Sequence, residues 1–318
     1  MEPPEERPLA LDQAARLLRP FDLRPRSAER LPVGTINLVY RVVTDGGVVA
    51  LRINRGKRPG DLVYEAALLW HLGARRFPTP QPLRTGDGRA FVVDGETQVS
   101  VFPWVEGASL DDQGITAEHA REIGAVLGRL HRAAADFPGR RSGPYTFERI
   151  ARRLEAVQGE ARLTEVLPLL QEEVAFLRGA RPPLLPLGTI HGDLFPDNVL
   201  FRGAALAAVL DFEQASFGRL AYDLAVTLLA WGHLEGALVD ERMRALLAGY
   251  TGVRPLQASE REGLWIELRT AALRFTVTRL TDLFLPGLER PGKDFRDYLA
   301  RLERLRELGP SGVAAWLS

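Results

Sequence analysis

One stretch limits the fold of this chain more than any other. Residues 189–212, TIHGDLFPDNVLFRGAALAAVLDF, hold two short strand-like runs, VLF and AAVLDF, inside sequence that otherwise reads as helix. Apolar residues recur at helical spacing in 117–137, near 147–178, and again in 219–233, 238–249, 258–285 and 293–308. Thr116 is the expected N-cap of the first of these helices. Ser259, with Glu262 three residues on, is expected to form a capping box for the helix at 258–285. A helical lobe built around one small strand island is therefore expected from about residue 109 onward.

The first third has a different texture. NLVYRVV (37–43) and VVALRIN (48–54) flank Thr44-Asp45-Gly46-Gly47, and Asp-Gly and Gly-Gly tolerate the positive φ of a tight hairpin turn. AFVVD (90–94) and TQVSVF (97–102) form a second hairpin around Gly95-Glu96. Between them, Leu62, Ala66, Leu69 and Leu72 mark a helix over 61–76 that Pro78 and Pro80 end. The expected architecture is α+β: an N-terminal lobe over 1–102, a hinge at 103–108 and a helical lobe over 109–318. A length of 318 residues suits two such lobes.

Composition narrows the function. The 41 basic residues, of which only Lys57 and Lys293 are lysines, are balanced by 41 acids. That balance argues against a nucleic-acid binder, which needs an excess of positive charge to neutralise phosphates. No cysteine is present, so disulfides, thiolate metal sites and cysteine nucleophiles are excluded. The start is acidic and broken by prolines, unlike a signal peptide, and LAYDLAVTLLAW (220–231) is too short to span a bilayer. A cytoplasmic protein without a membrane partner is expected.

The strand island carries the chemistry. His191-Gly192-Asp193-Leu194-Phe195-Pro196-Asp197-Asn198 matches H-x-D-L-x-x-x-N, and Asp211-Phe212-Glu213 follows thirteen residues after Asn198. Phosphoryl transfer from ATP needs a carboxylate beside the acceptor hydroxyl, and oxygen ligands for Mg²⁺ on the triphosphate. Asp193 fits the first role, and Asn198 and Asp211 fit the second. Mg²⁺ is a hard ion that takes few protein oxygens and keeps its waters. His191 is expected to brace the loop.

The first lobe supplies matching parts. In Val49-Ala50-Leu51-Arg52, alternation puts Ala50 and Arg52 on one strand face. A small residue there roofs the adenine while a cation reaches the phosphates. Arg52 stands where V-A-I-K has lysine, and Glu65 is its natural partner. Backbone N–H groups near Gly34 to Asn37 cap phosphates from a turn with one glycine. Phe102 and Trp104 flank the expected hinge at the adenine.

These residues resemble the aminoglycoside phosphotransferase/choline kinase superfamily. HGDLFPDNVLF (191–201), LAYDLAVTLLAW (220–231) and ALRFTVTRLTDLF (272–284) are most similar to bacterial type II homoserine kinases. The resemblance covers most of the chain and implies a protein-kinase-like bilobal fold, ATP and Mg²⁺ as cofactors, and a small-molecule hydroxyl acceptor. It implies that Asp193 handles the acceptor hydroxyl, that Asn198 and Asp211 bind the metal, and that Asp223 braces the catalytic loop. Arg52 and the polar Glu213-Gln214-Ala215-Ser216 depart from the pattern.

Homoserine carries both an ammonium and a carboxylate. Arg274, Thr278, Arg279 and Asp282, close together on the 258–285 helix, are expected to recognise such a zwitterion if that helix faces the cleft. Glu213 and Glu235 instead suit a cationic acceptor. An amino alcohol, an aminoglycoside, a protein Ser/Thr side chain, or a non-catalytic nucleotide-binding module remain the alternatives, and the sequence leaves the oligomeric state open.

Overall fold

The computed structural model describes residues 9–32, 37–182, 184–288, 290 and 292–318. The chain separates into two compact units: Met1–Gly107 with Ala207–Glu213, and Ala108–Leu206 with Gln214–Ser318. This division is not contiguous, whereas sequence texture put all of 109–318 in one lobe. The returning segment is held in the first unit by specific contacts. The Val209 N–H donates to Pro78 O at 2.7 Å, and the Phe212 ring meets Phe77 edge-on at 6.3 Å.

The first unit opens with α1 (Leu11–Leu18) and β1 (Pro25–Arg30), continues through β2 (Leu38–Thr44), β3 (Gly47–Asn54) and α2 (Pro59–Ala74), and adds β4 (Val92–Asp94) and β5 (Thr97–Pro103). The strands form one sheet in the order β1-β2-β3-β5-β4. Both hairpins turn on two residues, Asp45-Gly46 and Gly95-Glu96, with Thr44 opposite Gly47 and Asp94 opposite Thr97. Strand alternation sends Tyr40, Val42, Val49, Leu51, Val99 and Val101 to one face, where Leu17 and Leu18 of α1 join them in a single apolar core. Ala50 and Arg52 consequently occupy the other face. α1, whose buried Ala14, Leu17 and Leu18 fall at helical spacing, is not among the helices expected above, and β1 is not legible from periodicity. β1 reads PRSAER, an edge strand with no apolar run to announce it.

The second unit contains α3 (Ala117–Ala133), α4 (Phe147–Glu155), α5 (Leu167–Ala180), β6 (Leu187–Ile190) and β7 (Val199–Arg202). The chain then crosses to the first unit along β8 (Ala205–Val209). It returns as β9 (Ser216–Arg219), α6 (Leu220–Trp231), α7 (Asp240–Val253), α8 (Ala258–Arg279) and α9 (Phe295–Ala314). β6 and β9 pair antiparallel, Ile190 opposite Ser216, and so frame the HGD segment that follows β6. Nearly every side chain of α6 is buried, which explains a sequence that is apolar but for Tyr222, Asp223 and Thr227. Thr116 caps α3 through the His119 N–H. The cap of α8 is not Ser259: Glu260 accepts from the Gln257 N–H at 3.0 Å and pairs with Arg254 at 2.9 Å, starting the helix earlier. Past Arg279 the helix widens into a π-turn over Leu280–Phe284. Among the described residues, no helix is long and apolar enough to cross a membrane.

Candidate active site

In the second unit, the loop after β6 is built on a buried carboxylate. Asp223, in the first turn of α6, accepts the His191 N–H at 2.8 Å and the Gly192 N–H at 2.7 Å. His131 of α3 reaches its other side, Nε2 to Oδ2 at 3.0 Å, while Nδ1 meets the Tyr250 hydroxyl of α7 at 2.8 Å. Burial works to raise the Asp223 carboxyl. The His131 hydrogen bond, the neighbouring imidazoles and the Gly192 N–H outweigh it and hold the group below the usual aspartate range. Gly192 takes φ +78°, a conformation that costs an L side chain and costs glycine nothing.

This brace presents Asp193. Its N–H donates to His191 Nδ1 at 3.3 Å, so the imidazole supports the loop's backbone. The carboxylate receives the Gln214 Nε2–H at 3.0 Å on Oδ2, and Arg274 Nη1 lies 3.5 Å from Oδ1. Burial pushes the Asp193 carboxyl above the ordinary aspartate value, opposed by the charges of Arg274 and His191. A carboxylate so placed holds a proton more readily than a solvated aspartate. Asn198 donates Nδ2 to Asp193 O at 2.8 Å, which fixes the amide plane and leaves its oxygen as the cation-seeking atom. Trp231 Nε1 ties down Leu194 O at 2.9 Å.

The first unit gathers the remaining polar set. Arg52 and Glu65 form a two-pronged pair at 2.9 and 2.6 Å, and Arg52 Nε donates to Asn54 Oδ1 at 2.8 Å. Asn54 is in turn anchored by Ser100. Burial opposes the Arg52 charge, but Glu65, Asp211 and Glu213 together hold its pKa above normal. Asp211 adopts φ +58°, an unusual backbone for a residue with a side chain and one that marks functional turns. Glu213 Oε2 accepts from Asn37 Nδ2 at 2.6 Å and lies 3.4 Å from Lys57 Nζ. Among the site residues expected from sequence, Arg52, Glu65, Asn37, Glu213 and Asp211 therefore share one electrostatic neighbourhood. Gly34 lies outside the described residues.

Two other expected residues, Ala50 and Phe102, stay beside Arg52, and the rest go elsewhere. Ala50 pairs with Phe102, whose ring lies 5.0 Å from the Arg52 guanidinium. The Trp104 N–H is taken by Val48 O at 3.2 Å, and its indole donates to Glu106 at 2.9 Å, so this residue offers no backbone donor to an adenine. Asp282 pairs with Arg153 at 2.7 Å and Arg279 with Asp297 at 3.3 Å. Neither lines the cavity of about 270 Å³ beside Gly192, whose wall includes Tyr145, Gln214, Tyr222 and Arg274. Lys57, Asn54, Gln214 and Tyr145 carry no motif of their own and escape sequence reading.

The sequence matches the phosphotransferase enzyme family over residues 27–256, well over half its length. The chain belongs to that family. As a family phosphotransferase it is an enzyme, and its curated relatives are alike in name. A homoserine kinase of Methylobacterium radiotolerans is 39% identical over 266 residues, 81% of this chain and 82% of the relative. A homoserine kinase of Methylocella silvestris is 35% identical over 297 residues, 90% of each. Among solved structures, an amicoumacin kinase in complex with AMP-PNP, Ca²⁺ and Ami superposes with a TM-score of 0.71 at 17% identity, covering 95% of this phosphotransferase and 92% of that chain. At that identity the likeness shows the kinase-like fold.

Proposed function

We propose that this phosphotransferase moves the γ-phosphate of ATP to the hydroxyl of homoserine. Asp193 carries the reading: a carboxylate whose proton affinity is raised by burial and whose two oxygens face Gln214 and Arg274, two residues that line a cavity of about 270 Å³. It accepts the hydroxyl proton as the oxygen attacks. The acceptor's identity is supported by relatives of matching length that bear the name homoserine kinase.

The donor groups fit Mg²⁺. Asn198 and Asp211 offer an amide and a carboxylate oxygen, hard ligands of the kind Mg²⁺ takes while keeping most of its waters. When bound, the ion neutralises charge on the transferring phosphoryl group. Arg52 and Lys57 supply cations for a polyphosphate, with Glu65 and Glu213 holding them in place. Asp223 and His191 act at one remove, by fixing the loop on which Asp193 rides.

A nucleotide-consumption assay with homoserine, choline, ethanolamine, methylthioribose and an aminoglycoside tests the assignment. Homoserine should exceed every other acceptor in kcat/KM by at least about tenfold, the scale on which a missing charged contact discriminates. Comparable rates on several acceptors, or none on homoserine, would reject it.

A further inference from the structure

The cavity beside Gly192 is lined by a cation, Arg274, whose hydrogen-bonding capacity is only partly filled. Arg274 is 4% exposed, and the guanidinium makes one hydrogen bond, from Nη2 to Gln214 Oε1 at 2.7 Å. Its Nη1 approaches Asp193 at 3.5 Å without hydrogen-bond geometry, and among the described residues neither Nε nor Nη1 has a hydrogen-bond partner. Removing a guanidinium from water and leaving two of its nitrogens unsatisfied is unfavourable, and proteins rarely tolerate it without a ligand. The side chain is not free to swing out and find water. The Tyr145 ring lies 4.2 Å and the Phe275 ring 3.6 Å from its Cζ, and both hold the fork in place.

The walls around it are suited to a small anion-bearing acceptor. Burial pushes the Tyr222 phenol up to about 12 and raises that of Tyr145, so both stay neutral hydroxyls that can donate. Arg181, whose Nε also lacks a partner among the described residues, adds a second positive charge. A carboxylate matches a planar guanidinium fork better than any other common group.

We propose that Arg274 is the carboxylate anchor of the acceptor cavity, selecting amino-acid alcohols over alcohols that lack a carboxylate. The inference rests on the acceptor reading above and names the residue that enforces it. Gln214 explains why the anchor and the base act together. Its amide can satisfy both neighbours in one orientation, Nε2 toward the Asp193 carboxylate and Oε1 toward the Arg274 guanidinium. A homoserine carboxylate on Arg274 leaves its hydroxyl only two methylenes and a methine away, so one short molecule addresses anchor and base at once. An acceptor without the carboxylate leaves Nε and Nη1 of Arg274 without hydrogen-bond acceptors and lets the hydroxyl wander from Asp193.

The test compares homoserine with 3-aminopropan-1-ol, which is homoserine without its carboxylate, in wild type, Arg274→Gln and Arg274→Lys. Wild type should favour homoserine in kcat/KM. In Arg274→Gln that preference should shrink by about 30-fold or more, mainly through the KM for homoserine, the scale of a lost charge-assisted pair. Arg274→Lys should recover part of it. Equal losses on the two alcohols would overturn the anchor and give Arg274 a role in holding Asp193 or the phosphoryl group instead. If neither variant folds, the wild-type preference still decides: equal kcat/KM on the two alcohols overturns the proposal. Wild type without homoserine turnover sinks the acceptor reading and this inference with it, whereas homoserine turnover with an unchanged preference in Arg274→Gln sinks the inference alone.

Discussion

Asp193 and Arg274 sit 3.5 Å apart, and the guanidinium works against burial on the aspartate. Burial raises the aspartate, and the guanidinium lowers it. The sign of the resulting pH dependence follows directly. In the proposed role Asp193 can take a proton only while ionised, so activity should fail as pH falls through its pKa, which stands above the usual aspartate value of about 4. The acid limb of the kcat/KM profile should lie correspondingly higher. Arg274→Gln removes the opposing positive charge and should move the limb further up, measured on an acceptor that the variant still uses. An acid limb that stays put in Arg274→Gln would show that the two charges do not communicate. The residues of this pair were unequally legible. Asp193 announces itself because H-x-D-L-x-x-x-N places chemically distinctive side chains at fixed intervals. Arg274 stands among 39 arginines, and its partners at 145, 214 and 275 are dispersed along the chain.

At the scale of elements, the loop bearing Asp193 is only as firm as the helices beneath it. α3 supplies His131 and α7 supplies Tyr250, and together they hold Asp223. These two helices approach closely through glycine. A Cβ at Gly249 would meet the backbone carbonyl of Arg121, and one at Gly124 would meet that of Leu246. Gly249→Ala should therefore force the helices apart, costing roughly 1–3 kcal/mol of stability and lowering kcat as the brace loosens. Chemical denaturation read by circular dichroism checks the first effect, and a midpoint equal to wild type would contradict the close contact. The hairpins were legible nearly to the residue, because Asp45-Gly46 and Gly95-Glu96 leave few alternative turns. It misjudged the end of α8 for a physical reason. Counting i, i+4, i+8 assumes an unbroken α-helix, but the π-turn at Leu280–Phe284 adds a residue to the turn and carries Asp282 out of phase with Arg274. Asp282 then meets Arg153 rather than the cavity.

Across the whole molecule, the chemistry divides between the two units. The first holds the arginine–glutamate pair and the lysine suited to a polyphosphate, together with Asp211, although that residue follows Asn198 closely in sequence. The second holds Asp193, Asn198 and the cavity beside Gly192. Sequence texture revealed two lobes but not the return of Ala207–Glu213 to the first, because the contacts with Phe77 and Pro78 that hold it there join segments more than a hundred residues apart. The zero net charge belongs to this scale too, since it provides no overall field to gather a polycationic acceptor. The central claim is that Asp193 takes the proton from homoserine during phosphoryl transfer. Its most direct test is the homoserine-dependent consumption of Mg²⁺–ATP by wild type and Asp193→Asn, with nucleotide affinity measured in parallel. Turnover should fall by roughly 10²–10⁴-fold in the variant while nucleotide affinity stays close to wild type; equal turnover in the two proteins would contradict the claim.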